Sequence, residues 1–225
     1  MLTPRLLGTP RLLGIPRRFA VLAVLVLALA GCKPLDAAPP LPGASSGDSH
    51  LAQQQLAELT LGNPQSMAGY SRARFPHWID QGDGCDTRDL VLKRQGQNVL
   101  AAPGDCKISA GSWLSPYDGA TYTDPQKLDI DHVVPLANAW RSGANNWTDD
   151  QRREFANDLS RPQLIAVSLT QNRAKGDQDP SQWKPPNHDY WCQYAEDWVA
   201  VKYFWKLTVT VAEKAALTDM LGTCP

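Results

Sequence analysis

Leu128-Asp-Ile-Asp-His-Val-Val-Pro-Leu136 sets an Asp and a His side by side inside an apolar, β-branched run. Neighbours on a strand point to opposite faces, so Asp131 and His132 cannot both turn inward unless the strand bends. Pro135 stops regular pairing just downstream and marks a short or edge strand with an exposed working end. Burying even a neutral polar group without a partner costs roughly 2 to 7 kcal/mol. Two titratable groups in such a run therefore point to a site.

Downstream, Gln163-Leu-Ile-Ala-Val-Ser-Leu169 is a second apolar run of strand length. It leads into Thr170-Gln-Asn-Arg-Ala-Lys-Gly-Asp177, a polar, helix-capable segment opening on a capping-type Thr. The element order is strand with Asp-His, excursion, strand, then helix with Asn172. In the excursion, Thr148 is a good N-cap, Asp149 and Asp150 suit a first turn, and the helix should run to about Leu159. Trp140 and Trp147 are expected to anchor it. Arg141, Arg152, Arg153 and Arg161 read as a solvated basic face.

Upstream, Leu51, Leu56, Leu59 and Leu61 predict a short helix before Gly62-Asn-Pro64. Tyr70-Ser-Arg-Ala-Arg-Phe-Pro-His-Trp78 should pack through its aromatics, with His77 an ordinary satisfied residue. Asp80-Gln-Gly-Asp-Gly-Cys85 is half of a calcium-type loop without the closing Glu, and so reads as a turn. Thr87 to Arg94 fits a helix or a strand, and Cys106 to Gly119 predicts a strand and a turn into Thr121-Tyr-Thr123. At the C-terminal end, Trp191, Tyr194, Trp198, Val201 and Trp205 recur at helical spacing. Thr210-Val-Ala-Glu213 is a capping box for a last helix that Gly222 ends. The fold class expected is α+β.

The first part of the chain reads as targeting. Arg5, Arg11, Arg17 and Arg18 precede an apolar run from Phe19 to Ala30 that ends in Leu-Ala-Gly-Cys32, the pattern of a secretory signal. The run is too short for a bilayer core of about 30 Å. Cys32 directly after Gly31 resembles a bacterial lipoprotein site, with Cys32 the lipidated residue and Lys33 favouring the outer membrane. The expected organisation is residues 1–31 signal, 32–50 lipidated Cys and Pro/Ala/Gly/Ser tether, and 51–225 a single domain carrying all eight Trp.

Removing the four leader Arg from 22 basic residues leaves 18 against 23 acidic ones, a formal net charge of −5. Bulk charge therefore excludes a protein that coats nucleic acid, and a phosphate ligand must be captured locally. Beside Cys32, the even set Cys85, Cys106, Cys192 and Cys224 suits disulfides in an exported chain. Three connectivities are possible, and Cys85 with Cys106 and Cys192 with Cys224 is the most local. No C-x-x-C pair exists and the His are scattered, which argues against zinc.

Cutting a phosphodiester takes a nucleophilic water, stabilisation of charge on phosphorus, and help for the departing alkoxide. A neutral His can take the proton from water, and a cation on hard oxygen ligands serves the other two tasks. Asp131 and Asn172 offer a carboxylate and an amide oxygen, which favour Mg²⁺ or Mn²⁺. His132 is then the base, with Lys175 and Arg173 as expected phosphate-binding cations.

Asp131-His132-Val-Val-Pro135, followed by Gln163 through Asn172-Arg-Ala-Lys175-Gly-Asp177, resembles the HNH endonuclease motif in its Asp-His-Asn form. The resemblance implies a ββα-metal core over about residues 128–180, with Asp131 and Asn172 binding one divalent cation and His132 activating water. The wider stretch from Tyr70 to Trp198 resembles a secreted bacterial branch related to the nuclease part of GmrSD-type restriction enzymes. Two departures are Gln163, where many members carry a loop-bracing Asn, and the long excursion from His132 to Asn172. The resemblance implies hydrolysis of DNA by an exported, lipid-anchored enzyme with no obligate protein partner evident. The alternatives are an inactive envelope lipoprotein that binds through the same scaffold, and a ribonuclease or toxin-type nuclease. An unperturbed His132 would titrate near ~6.5.

Overall fold

The computed structural model describes residues 46–102 and 106–225. The expected signal, Cys32 and the tether as far as residue 45 lie outside the described residues.

Helix α1, Ser46–Glu58, starts earlier than the Leu pattern predicts and buries Ala52 and Leu56, with Leu59 just beyond it. Leu51 and Leu61 face outward. The loop that follows carries the turn at Asp80–Cys85, where Gly82, Asp83 and Gly84 all have positive φ. The Cys85–Cys106 disulfide pins this turn to the sheet. Helix α2, Thr87–Gln95, resolves the helix-or-strand ambiguity, because Asp86 and Asp89 form a reciprocal capping box.

Strands β1 (Gln97–Ala101), β2 (Ile108–Ser115) and β3 (Ala120–Tyr122) make an antiparallel sheet in that order. Gly119, at φ +67°, supplies the tight turn expected at Asp118-Gly119. Strand β4, Leu128–His132, pairs antiparallel with β5, Leu164–Ser168, in the register Asp129 to Val167 and Asp131 to Ile165. Between them lie α3 (Leu136–Arg141) and α4 (Asp149–Ala156). Pro135 ends the strand and occupies the N-cap of α3. Helix α5, Leu169–Lys175, follows β5 directly, with Ser168 rather than Thr170 as its cap. Helices α6 (Trp191–Phe204) and α7 (Val211–Leu221) close the domain, stapled by Cys192–Cys224. Among the described residues no helix is long and apolar enough to cross a membrane.

The β4–β5 pair separates two apolar clusters, and its pleat explains how. Leu128, Ile130, Leu164 and Ala166 point to the α2 and β2 side, where Val91, Leu92 and Trp113 pack. Ile165 and Val167 point to the larger cluster built on α1, α3, α4, α6 and α7. Two expectations need correction on the excursion. Helix α4 stops at Ala156, and Arg152 is buried, donating to the backbone carbonyls of Arg74, Ala144 and Trp147 and pairing with Asp149. The carbonyls belong to two segments, the turn at Arg74 and the loop from Ala144 to Trp147, so one guanidinium, with its five N–H groups, ties both to α4.

A close approach at the end of α2 fixes how the sheet seats on it. A Cβ on Gly96 would lie 2.4 Å from Trp113 Nε1 and 2.5 Å from Val99 Cγ2. Trp113 cannot yield, because it is buried and its Nε1–H donates to Leu92 O at 2.8 Å. Gly96→Ala is expected to cost about 1 to 3 kcal/mol of stability through overpacking, measured by urea unfolding; an unchanged midpoint would contradict this packing.

Candidate active site

Alternation along β4 sends Asp131 and His132 to different surroundings, and both are buried rather than at an exposed strand end, at 5% and 4% exposure. On the α5 side, Asp131 Oδ2 accepts from Tyr117 O–H at 2.6 Å and from Lys175 Nζ at 2.7 Å. The same ammonium donates to His132 O at 2.9 Å. Lys175 is fully buried, so the expected phosphate-binding role is corrected: its charge is committed to Asp131. Burial pushes the Asp131 carboxyl up and the Lys175 ammonium down, while the ion pair between them opposes both shifts. With Oδ2 doubly occupied, Oδ1 is the carboxylate oxygen left for another ligand.

Asn172, on α5, donates its amide Nδ2 to Asp129 Oδ2 at 2.9 Å. A carboxylate oxygen accepts only, so this bond fixes the amide orientation and leaves Asn172 Oδ1 as the free acceptor. Asp129 shares a strand face with Asp131, two residues away. Both Asp131 and Asn172 line a cavity of about 190 Å³, together with His132, Arg72, Tyr70 and Asp177. One carboxylate oxygen and one amide oxygen are hard donors of the kind that Mg²⁺ or Mn²⁺ takes alongside water and phosphate oxygens. The residues therefore fit such a cation. The one cluster of three His, Cys, Asp or Glu ligand atoms among the described residues, Cys192, Glu196 and Cys224, offers no thiolate, because its sulfurs are joined in the disulfide.

On its other side His132 is held by the excursion. Its Nε2–H donates to Ala156 O, a last-turn carbonyl of α4, at 2.9 Å. A carbonyl only accepts, so Nε2 carries the proton and Nδ1 keeps its lone pair. Trp78 stacks on the ring with centroids 5.5 Å apart and planes 16° apart. Burial, offset only in part by the Ala156 bond, lowers the His132 pKa to about 3. The expectation of a titration near 6.5 is corrected accordingly: this imidazole is neutral throughout the neutral range.

Gln163 takes over loop bracing. It is fully buried, its side chain accepts from Val134 N at 3.0 Å and donates to Val134 O at 2.9 Å, and its own carbonyl accepts from Val133 N. The chain leaving the Asp-His pair is thus fastened to the start of β5. Arg173 is exposed on α5 and outside the cavity wall. Sequence reasoning missed Tyr117 altogether, since nothing in the spacing of Pro116-Tyr-Asp118 connects it with residue 131.

Residues 86–220 match the family described as GmrSD restriction endonucleases, C-terminal domain. An uncharacterized secreted protein of Arthroderma benhamiae is 52% identical over 209 residues, covering 92% of this chain and all of that protein. That relative is fungal, so it does not support the expected bacterial branch. No solved structure matches.

The position of Lys175 has a direct consequence for stability. Lys175→Met would leave the Asp131 charge buried without a counter-ion and is expected to cost about 3 to 5 kcal/mol in urea unfolding. A loss within about 0.5 kcal/mol, as for a surface residue, would instead restore Lys175 as a free phosphate ligand.

Proposed function

The chain belongs to the family of GmrSD restriction endonuclease C-terminal domains, a nuclease-type family, and on that premise we propose that it is a divalent-metal-dependent endonuclease that hydrolyses DNA. In this proposal β4, β5 and α5 form a ββα-metal element of HNH type. The observation that carries it is the meeting at one cavity of Asp131, Asn172 and the neutral His132. Asp131 has one carboxylate oxygen tied to protein and the other free, and Asn172 has its amide nitrogen tied and its oxygen free.

Asp131 Oδ1 and Asn172 Oδ1 would hold one Mg²⁺ or Mn²⁺, which supplies charge stabilisation at the phosphate and at the leaving oxygen. His132 does the proton chemistry. Its Nδ1 accepts a proton from water as that water attacks phosphorus, and the Ala156 carbonyl stabilises the imidazolium through the N–H it already receives. Because burial keeps the ring neutral, no proton has to be removed from it first. The attack forms one P–O bond and breaks another, and water donates the proton that the leaving oxygen takes up.

Two disulfides and a relative described as secreted support export of the domain. Lipidation of Cys32 and retention at an outer membrane remain separate proposals; mass spectrometry of the mature N-terminus tests the first.

Incubation of the purified protein with supercoiled plasmid tests the proposal. Cleavage in Mg²⁺ or Mn²⁺ is expected, abolished by EDTA and reduced about 10² to 10⁴-fold in His132→Ala, the usual contribution of a general base. Equal cleavage by wild type and His132→Ala, or cleavage confined to RNA offered in parallel, would overturn the mechanism or the substrate respectively. The pH profile of kcat/KM is expected to show no acid limb centred at 6.5, because a cation nearby would move the His132 pKa further down; a unit-slope limb there that vanishes in His132→Ala would contradict the neutral base.

A further inference from the structure

The cavity wall contains one cation, and the mechanism above does not use it. Lys175 and Arg141 are committed, to Asp131 and to Asp177 at 2.6 Å. Arg74 reaches Asp149 at 3.6 Å and lies against Trp140. Arg72, by contrast, lines the cavity beside Asp131, His132 and Asn172, is exposed, and has no ion pair among the described residues. It also lies upstream of residues 86–220, the segment shared with the family.

Its local bonding is specific. Arg72 stands on a 3-10 turn, Arg72–Arg74, whose next residue, Phe75, is buried between Tyr70, Trp140 and Phe155. His77 Nδ1–H donates to Phe75 O at 2.7 Å, so Nε2 is the acceptor, and it receives Arg72 Nε–H at 3.3 Å. That bond uses Nε alone and leaves both terminal guanidinium nitrogens without a protein partner among the described residues. The His77 ring stands edge-on to His132 with centroids 6.0 Å apart. Trp78 follows at φ 58°, a left-handed conformation costly for a bulky residue, and it is the ring stacked on His132. Asn157 fastens the segment from the far side, donating to Pro76 O at 2.8 Å and accepting from Ile79 N at 3.3 Å.

We propose that Arg72 is a substrate-binding residue that grips a backbone phosphate of the nucleic acid at the cavity, and that His77 is its positioning residue. A guanidinium with two free nitrogens presents the planar fork that matches two phosphate oxygens. The need for it follows from charge: the mature chain is net acidic and this cavity presents Asp131 and Asp177, so a polyanion requires a local cation to approach. Burial and the Arg72 charge both depress the His77 pKa, which keeps Nε2 available as the acceptor. The proposal rests on the nuclease assignment.

Binding of a labelled DNA duplex to the full chain in EDTA, over 50 to 200 mM salt, separates the two claims. Arg72→Met is expected to weaken binding about 5 to 10-fold and to lower the slope of log K against log salt by about 0.9, the signature of one lost phosphate contact. Arg72→Lys should restore the slope. His77→Ala should weaken binding and raise KM with the slope unchanged, and His77→Gln, which keeps an acceptor, should recover part of the affinity. Thermal midpoints of the Arg72 variants should stay at the wild-type value, because the side chain is exposed. Unchanged affinity and slope in Arg72→Met, with wild-type cleavage intact in Mn²⁺, overturns the role of Arg72 alone. A wild-type protein that neither binds nor cuts nucleic acid overturns the nuclease assignment and this role with it.

Discussion

A buried ion pair between Asp131 and Lys175 holds the site together. It links β4 to α5 at 2.7 Å, and Tyr117, two residues past β2, adds a second tie to the same oxygen. Removing a carboxylate and an ammonium from water is costly, and their attraction compensates only where hydrogen bonds satisfy what remains. Here the ammonium also donates to His132 O, and the carboxylate takes the tyrosine hydroxyl. The pair therefore fixes strand against helix and selects which Asp131 oxygen is free. Asp129 performs the corresponding selection on Asn172 by accepting from its amide Nδ2. Each proposed cation ligand thus has one polar atom anchored by protein, Oδ2 of Asp131 and Nδ2 of Asn172, and one oxygen left for a ligand, which is how outer partners orient metal-binding groups.

The excursion between β4 and β5 serves the opposite face of the strand. Its length, a puzzle when only the order of residues is considered, is accounted for by α4, whose last turn brings the Ala156 carbonyl to His132. Arg152 secures α4 to the loops before it, and Gln163 secures the return to β5. The aromatic segment before α2 completes the enclosure with Trp78. Neighbouring residues of one strand are in this way given different electrostatic settings: Asp131 sits beside an ammonium, whereas His132 is set against a neutral carbonyl and an indole face.

Much of this was legible in the chain itself. The alternation of Leu128, Ile130 and His132 against Asp129 and Asp131, the apolar run before Asn172, the N-cap at Thr148 and the capping box at Thr210 all have local causes, and the corresponding elements form. The disulfides follow the most local pairing. What stayed hidden depends on contacts far apart in sequence. A Lys one turn beyond Asn172 has the spacing of a ligand-binding residue, and only the packing of α5 on β4 turns it inward. Arg152 has the spacing of a solvated helix face, yet the carbonyls of Arg74, far upstream, and of the nearby loop at Ala144 and Trp147 converge on it. Tyr117 carries no spacing signal because its partner lies on β4, Arg72 and His77 carry none because the cavity that Arg72 lines is built from β4 and α5, and Pro135 reads as a strand stop without announcing the helix it caps.

Manganese titration followed by electron paramagnetic resonance reads out whether Asp131 and Asn172 together hold a cation. One bound ion per chain is expected in the wild-type protein and in His132→Ala, and loss of that ion in Asn172→Ala, whose side chain is partly exposed and whose removal leaves the Asp131 ion pair in place. Failure of the wild-type protein to bind Mn²⁺, or undiminished binding by Asn172→Ala, would contradict a metal site formed by Asp131 and Asn172.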